Sequence, residues 1–209
     1  MAWTTGTLIV GSMLSTAIVC QASQQELKPP VDPGTQEAAG LMQKAMTNPR
    51  MQAIIRQNVH PNATIVSLEN LNTVSRERFL NAVDDDSPGF IVADFNGDGV
   101  ADYAALLRFP KKASMGEWLV AFMGRKDGGF QLRLLEKYDG FHDDVYITIE
   151  PPGEVKPSNS SRTVKLQASG IARIQPDSPA TVFYWGRGGF QRLRMSAAQS
   201  SGSSLPSNR

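Results

Sequence analysis

The chain has 209 residues, is 41% hydrophobic and carries 21 Lys and Arg against 20 Asp and Glu, for a formal net charge of +1. That balance offers no field for nucleic acid, and the length suits a single domain with a sizeable core. Cys20 is its one cysteine, so an internal disulfide framework is excluded.

At the amino end, residues 7 to 20 form an uncharged, mostly apolar stretch, shorter than the roughly twenty residues that span a bilayer. Residues 1 to 22 read as a signal peptide. Cys20-Gln21-Ala22 places small residues at both cleavage-determining positions, so cutting after Ala22 is expected. An uncleaved anchor is the rival, because no Lys or Arg precedes the apolar stretch. Lipidation of Cys20 is disfavoured by the bulky Val19 before it. Cleavage leaves a thiol-free chain without disulfides, cysteine catalysis or zinc-thiolate chemistry. The expected location is secreted or periplasmic, with membrane contact only through an uncleaved amino-terminal segment. Residues 23 to 34, with Pro29, Pro30, Pro33 and Gly34, read as a linker, and residues 35 to 195 as the domain.

Thr35 can cap a first helix that carries Leu41, Met42, Ala45 and Met46 on one face, until Asn48-Pro49 interrupts it. Met51, Ile54, Ile55 and Val59 then recur at three- and four-residue intervals, with Pro49 suited to a first turn, and predict a second helix. A third is predicted with Ser75 as cap, Val74 and Phe79 as a hydrophobic staple, and Phe79, Leu80 and Val83 as buried face.

From Phe90 the hydrophobic period changes to two. Residues 90 to 93, 103 to 107, 117 to 123, 130 to 134, 145 to 149, 163 to 166 and 181 to 185 read as strands. Helices first and strands after predict an α+β domain, with amino-terminal helices packed on an antiparallel meandering β-sheet. Phe122-Met123-Gly124-Arg125-Lys126-Asp127-Gly128-Gly129-Phe130-Gln131 recurs approximately as Tyr184-Trp185-Gly186-Arg187-Gly188-Gly189-Phe190-Gln191, which predicts two similar hairpins in one sheet. The acidic segment described next does not recur, so a propeller is excluded. Residues 196 to 209 are Ser-rich without apolar periodicity and read as a disordered tail.

The most chemically informative run is Asp94-Phe95-Asn96-Gly97-Asp98-Gly99-Val100-Ala101-Asp102, which puts short oxygen side chains at alternate positions of a tight turn. Calcium takes six to eight oxygen ligands, and a short loop supplies several only with such spacing. Asp94, Asn96 and Asp98 meet the need, Gly99 suits a sharp turn, and Asp102 can close the site directly or through a water. The run resembles the D-x-[DN]-x-D-G-x-x-D segment of EF-hand-like families. Its flanks are strand-like rather than helical, and loop position twelve, a bidentate Glu in an EF-hand, is Ala105. It therefore resembles most the strand-loop-strand calcium segment of FG-GAP and VCBS repeats, as carried singly by some secreted bacterial proteins. The resemblance covers about a dozen residues and so implies a site rather than a whole fold, a calcium segment in a hairpin over residues 90 to 107. The expected role is a non-enzymatic domain with one structural calcium ion. The competing reading is a hairpin whose Asn-Gly and Asp-Gly pairs are turn residues only. Asp84-Asp85-Asp86 upstream is a further source of ligands or a solvated run.

Two constellations carry alternative functions. His142-Asp143-Asp144 sets an imidazole beside carboxylates, as a small hydrolase would need, although neighbouring strand residues point opposite ways and no G-x-S-x-G segment accompanies it. His60, before Pro61, reads as a helix-end residue. Trp118, Tyr184 and Trp185 would make a carbohydrate- or protein-binding module if they faced outward together, with burial in the sheet as the expected fate.

Overall fold

The computed structural model describes residues 43–44, 46–82 and 87–195. The expected signal segment, the linker, most of the first helix, Asp84-Asp85-Asp86 and the Ser-rich tail lie outside the described residues. Helix α1 spans Pro49–Asn58. The Asn48 side-chain oxygen accepts the N–H groups of Arg50 and Met51 at 2.9 and 3.4 Å, and Pro49, which has no N–H to satisfy, occupies the first turn. Met51 and Ile55, four residues apart, are its buried positions.

Helix α2 spans Thr73–Ala82, three residues earlier than a Ser75 cap requires. Asn72 caps it instead, accepting the Ser75 N–H at 2.9 Å. Ser75 is buried inside the helix, donating its hydroxyl to the Asp144 carbonyl at 3.1 Å. The expected staple is absent, since Val74 is exposed, and Leu80 is exposed too; Phe79 enters the core, and Val83 lies outside the described residues.

Eleven strands against two helices make the described chain β-rich rather than evenly mixed, and every strand pairing is antiparallel. The single expected sheet is three. The first holds β1 (Thr64–Ile65), β2 (Phe90–Ala93), β3 (Asp102–Lys111), β4 (Ser114–Gly124) and β5 (Phe130–Tyr138), with β1 and β2 both on β3 and the order β3-β4-β5 beyond it. The second has the order β11-β10-β9-β6, from β6 (Tyr146–Glu150), β9 (Gly170–Ile174), β10 (Thr181–Gly186) and β11 (Gly189–Arg194). β7 (Gly153–Val155) and β8 (Val164–Leu166) pair separately.

Long apolar runs in β3 and β4 explain the division. Alternate positions on both faces are apolar, so burying either face alone would leave the other in water. Ala104, Leu106, Leu119, Ala121 and Met123 share a cluster with Phe79 of α2 and with Ile147, Ile171 and Phe183 of the second sheet. Ala105, Leu107, Val120 and Phe122 share another with Met51 and Ile55. Each buried Leu, Ile, Val, Phe or Met among them contributes about 1.5 to 3 kcal/mol.

One irregularity redirects the polar side chains. Between Leu119 and Val120 the pairing of β4 with β5 shifts by one residue: Val120 faces Leu134, whereas Leu119 faces Glu136 and Glu117 faces Tyr138. A one-residue bulge reverses which face the following side chains take. Glu136 and Tyr138 thereby join Glu117 on the face shared with the second sheet.

The two echoing hairpins both form, but in different sheets: Gly124 pairs Phe130 in the first, Gly186 pairs Gly189 in the second. Arg187 and Gly188, with φ of 53° and 79°, give the latter the two-residue turn that matches strand twist. Trp118 lies edge-on to Phe109 with the Lys137 ammonium 4.2 Å from its ring centre, while Trp185 lies edge-on to Phe190 in the other sheet. They form no common platform.

Candidate metal centre

β2 and β3 pair from Phe90 with Ala105 to Ala93 with Asp102, so the acidic run is the loop of an antiparallel strand-loop-strand unit. Its tip needs left-handed backbone at Gly97 and Gly99, with φ of 75° and 79°. Nothing lies within 4 Å of where a Gly99 Cβ would stand, so conformation rather than space calls for glycine there. Phe95 is fully buried and pins the loop into the core between the larger sheets.

The loop's oxygens organise its own backbone. Asp94 accepts the N–H groups of Gly97 at 2.7 Å and Asp98 at 3.1 Å on Oδ1, and that of Gly99 at 2.8 Å on Oδ2. Asn96 Oδ1 accepts the Asp98 N–H at 2.9 Å, its Nδ2 donates to Asp98 Oδ2 at 2.9 Å, and Asp98 Oδ1 accepts the Val100 N–H at 2.8 Å. Asp102 behaves differently. It is fully buried, accepting the Phe95 N–H at 3.0 Å on Oδ2 and the Gly124 N–H at 2.8 Å on Oδ1, which ties the loop to the end of β4. Burial raises its pKa to about 6; the two amide hydrogen bonds oppose that rise, and the charges of Asp98 and Asp94 add to it. Gly124 is required by proximity, since a Cβ there would stand 2.2 Å from the Ala101 carbonyl oxygen.

The donor set suits a hard cation, being oxygen throughout, and a carboxylate oxygen that accepts one N–H keeps a second lone pair. Asp94, Asn96 and Asp98 share the loop concavity by these bonds, whereas both Asp102 oxygens are committed to structural amides. No group of three or more His, Cys, Asp or Glu side chains is gathered as a metal site among the described residues. A cation would therefore draw on the Asn96 oxygen and on rearrangement of the Asn96 to Asp98 contact.

His142 lies apart from this loop. Asp143 and Asp144 are not its partners: the Asp143 carbonyl accepts the Asn72 N–H at 2.7 Å, and Asp144 Oδ2 accepts from the Gln175 amide at 3.0 Å. The carboxylate at His142 is Glu117, fully buried, whose Oε2 accepts the His142 N–H at 3.1 Å. Burial pushes the Glu117 carboxyl up to about 7, against the His142 hydrogen bond and the Arg173 charge, with Asp144 and Glu136 raising it further. Sequence reasoning passed over Glu117, although it shares strand parity with Leu119, Ala121 and Met123, the signal of an inward-facing acid. A cleft of about 600 Å³ is bounded by Ser158, Tyr184, Arg192 and Arg194, and one of about 160 Å³ by Val100, Tyr103, Gly124 and Phe130; His142 lines neither.

Compared with known proteins, the chain matches no family model, no curated protein and no solved structure.

Proposed function

We propose that the chain is a secreted or periplasmic, non-enzymatic domain that binds one calcium ion as a staple between β2 and β3. Asp94, Asn96 and Asp98 would hold the ion, with Asp102 closing the site directly or through a water. The observation that carries this reading is the Asp94 carboxylate drawing three successive loop amides around itself, which curls alternate oxygen side chains about one concavity. Two positive charges would offset the mutual repulsion of Asp94, Asp98 and Asp102 that already contributes to the raised pKa of Asp102. In this reading the helices serve the sheets as cover, α1 through Met51 and Ile55 on the outer face of the first sheet.

An ion that binds only the folded state, at a hundred times its dissociation constant, adds about 2.7 kcal/mol. Thermal unfolding in calcium, in magnesium and in chelator tests the proposal directly. A calcium-selective rise in melting temperature that Asp98→Ala removes is expected; equal melting in calcium and chelator would reduce the loop to a turn.

A second reading, a carbohydrate- or protein-binding module, draws support from the 600 Å³ cleft, where Tyr184 lies beside Arg192, Arg194, Ser158 and Asn159. Binding of a polar glycan or peptide that Tyr184→Ala abolishes would favour it. The hydrolase alternative now rests on His142 with Glu117 rather than with the adjacent aspartates, and His142 lines neither of the two clefts described.

A further inference from the structure

The chain crosses from the first sheet to the second through residues 139 to 145, and this crossover is held at several points. Asn72 and Ser75 of the α2 start bind the Asp143 and Asp144 carbonyls, Gln175 binds the Asp144 carboxylate, and Glu117 binds the His142 N–H. At the last of these, two buried polar atoms face one another without satisfaction. Glu117 Oε1 and His142 Nδ1 are 3.6 Å apart, and neither has a hydrogen-bond partner among the described residues. Leaving both unpaired carries the desolvation cost of two buried polar atoms, which a proton placed between them removes.

We propose that Glu117 and His142 form one proton-binding unit that clamps the crossover between the sheets: the buried carboxylate holds the imidazole as its Nδ1–H tautomer and leaves the Nε2 edge as the point of proton exchange.

The orientation follows from accessibility. The His142 side chain is 36% exposed while its Nδ1 is buried, so the solvent-facing edge lies on the rest of the ring. Titratable and charged residues from several elements surround Glu117. Arg108 of β3 and Tyr138 of β5 are its cross-strand partners, Glu136 lies on β5, His142 and Asp144 on the crossover, and Arg173 of β9 sets its guanidinium 4.5 Å from the Tyr138 ring centre. Tyr138 in turn donates its hydroxyl to Glu136, which pairs with Arg192 at 2.9 Å. The surrounding charge is mixed, so a proton between Glu117 and His142 is accommodated without a net field against it. The raised pKa of Glu117 agrees with a site that takes up a proton near neutrality. Because the two groups are in contact, uptake belongs to the pair rather than to either residue.

The other histidine is a built-in control. His60 Nδ1 accepts the Asn62 N–H at 3.1 Å, so its proton belongs on Nε2. Long-range nitrogen–proton NMR on the histidine-labelled full chain, above neutral pH, distinguishes the two tautomers without any substitution. His142 is expected as the Nδ1–H form and His60 as the Nε2–H form; two Nε2–H histidines would overturn the proposal. Lowering the pH should then slow exchange of the His142 and Val145 amides, after correction for intrinsic rates, by up to about tenfold per pH unit, the limit for one linked proton. Glu117→Gln should abolish that dependence, and its persistence in the variant would also overturn the proposal. Should Glu117→Gln fail to fold, the carbon-13 shift of the wild-type Glu117 carboxyl decides the point: titration together with the His142 amide supports the unit, and separate titration refutes it.

Discussion

The acidic loop and the Glu117 site both bring carboxylates together, yet they handle the charge in opposite ways. In the loop, Asp94, Asp98 and Asp102 each accept backbone N–H groups, so their oxygens are satisfied locally and the cost of crowding falls on mutual repulsion. At Glu117 the crowding is mild and the cost is desolvation, because one carboxylate oxygen is buried without a partner. A cation relieves the first kind of cost and a proton the second. The lesson is that the sign of the missing charge is the same in both regions, while the ligand that supplies it is set by exposure and by how many amides surround the oxygens.

Phe95→Ala should have the largest effect and should separate the two regions. Removing a fully buried aromatic anchor costs about 4 kcal/mol, measured by denaturant unfolding, and should loosen the loop while His142 keeps its Nδ1–H tautomer. Loss of both signatures together would mean that the regions form one cooperative unit.

Next comes pH. Burial raises the Glu117 carboxyl from its ordinary 4.5 to about 7, so in the native state the pair it forms with His142 holds a proton that the unfolded state releases. That stabilisation is complete below about pH 4.5 and is lost as the pH rises through about 7. Its full size is about 3 kcal/mol. It is read as the difference between wild type and Glu117→Gln across this window, and a difference that stays flat with pH would refute it. The same substitution should leave any calcium response of the loop unchanged.

Gly124→Ala sharpens the role of Asp102. A methyl group set against the Ala101 carbonyl must push the loop from β4, at a cost of about 2 kcal/mol by the same unfolding assay, and should break the Asp102 bond to the residue 124 amide. The smallest effect lies outside both regions: Asn48→Ala, which removes the α1 cap, should cost about 1 kcal/mol and move neither the calcium response nor the His142 tautomer.

Much of the local structure was legible from residue order. The Met51 and Ile55 stripe, the period-two runs of β2 to β5 and the turn glycines of the acidic loop each depend on neighbours within a few positions. Ser75 misled because a serine ahead of an apolar stripe looks like a cap, whereas Asn72 stands where the first turn's N–H groups point. The aspartates beside His142 misled for a related reason: adjacency along the chain is not adjacency in space, and the true partner lies 25 residues back.

The order of residues by itself determined the antiparallel character, the strand-loop-strand unit and its alternating oxygens, because periodicity and turn chemistry act over a few bonds. Only the tertiary structure decided that the strands divide among three sheets, that Asp102 turns into the backbone of β4, and that Glu117 meets His142. A single bulge beside Leu119 carries Glu136 and Tyr138 to the inner face, and no local signal announces a one-residue slip between strands. Its placement is set by how two long apolar faces find enough surface to cover them both.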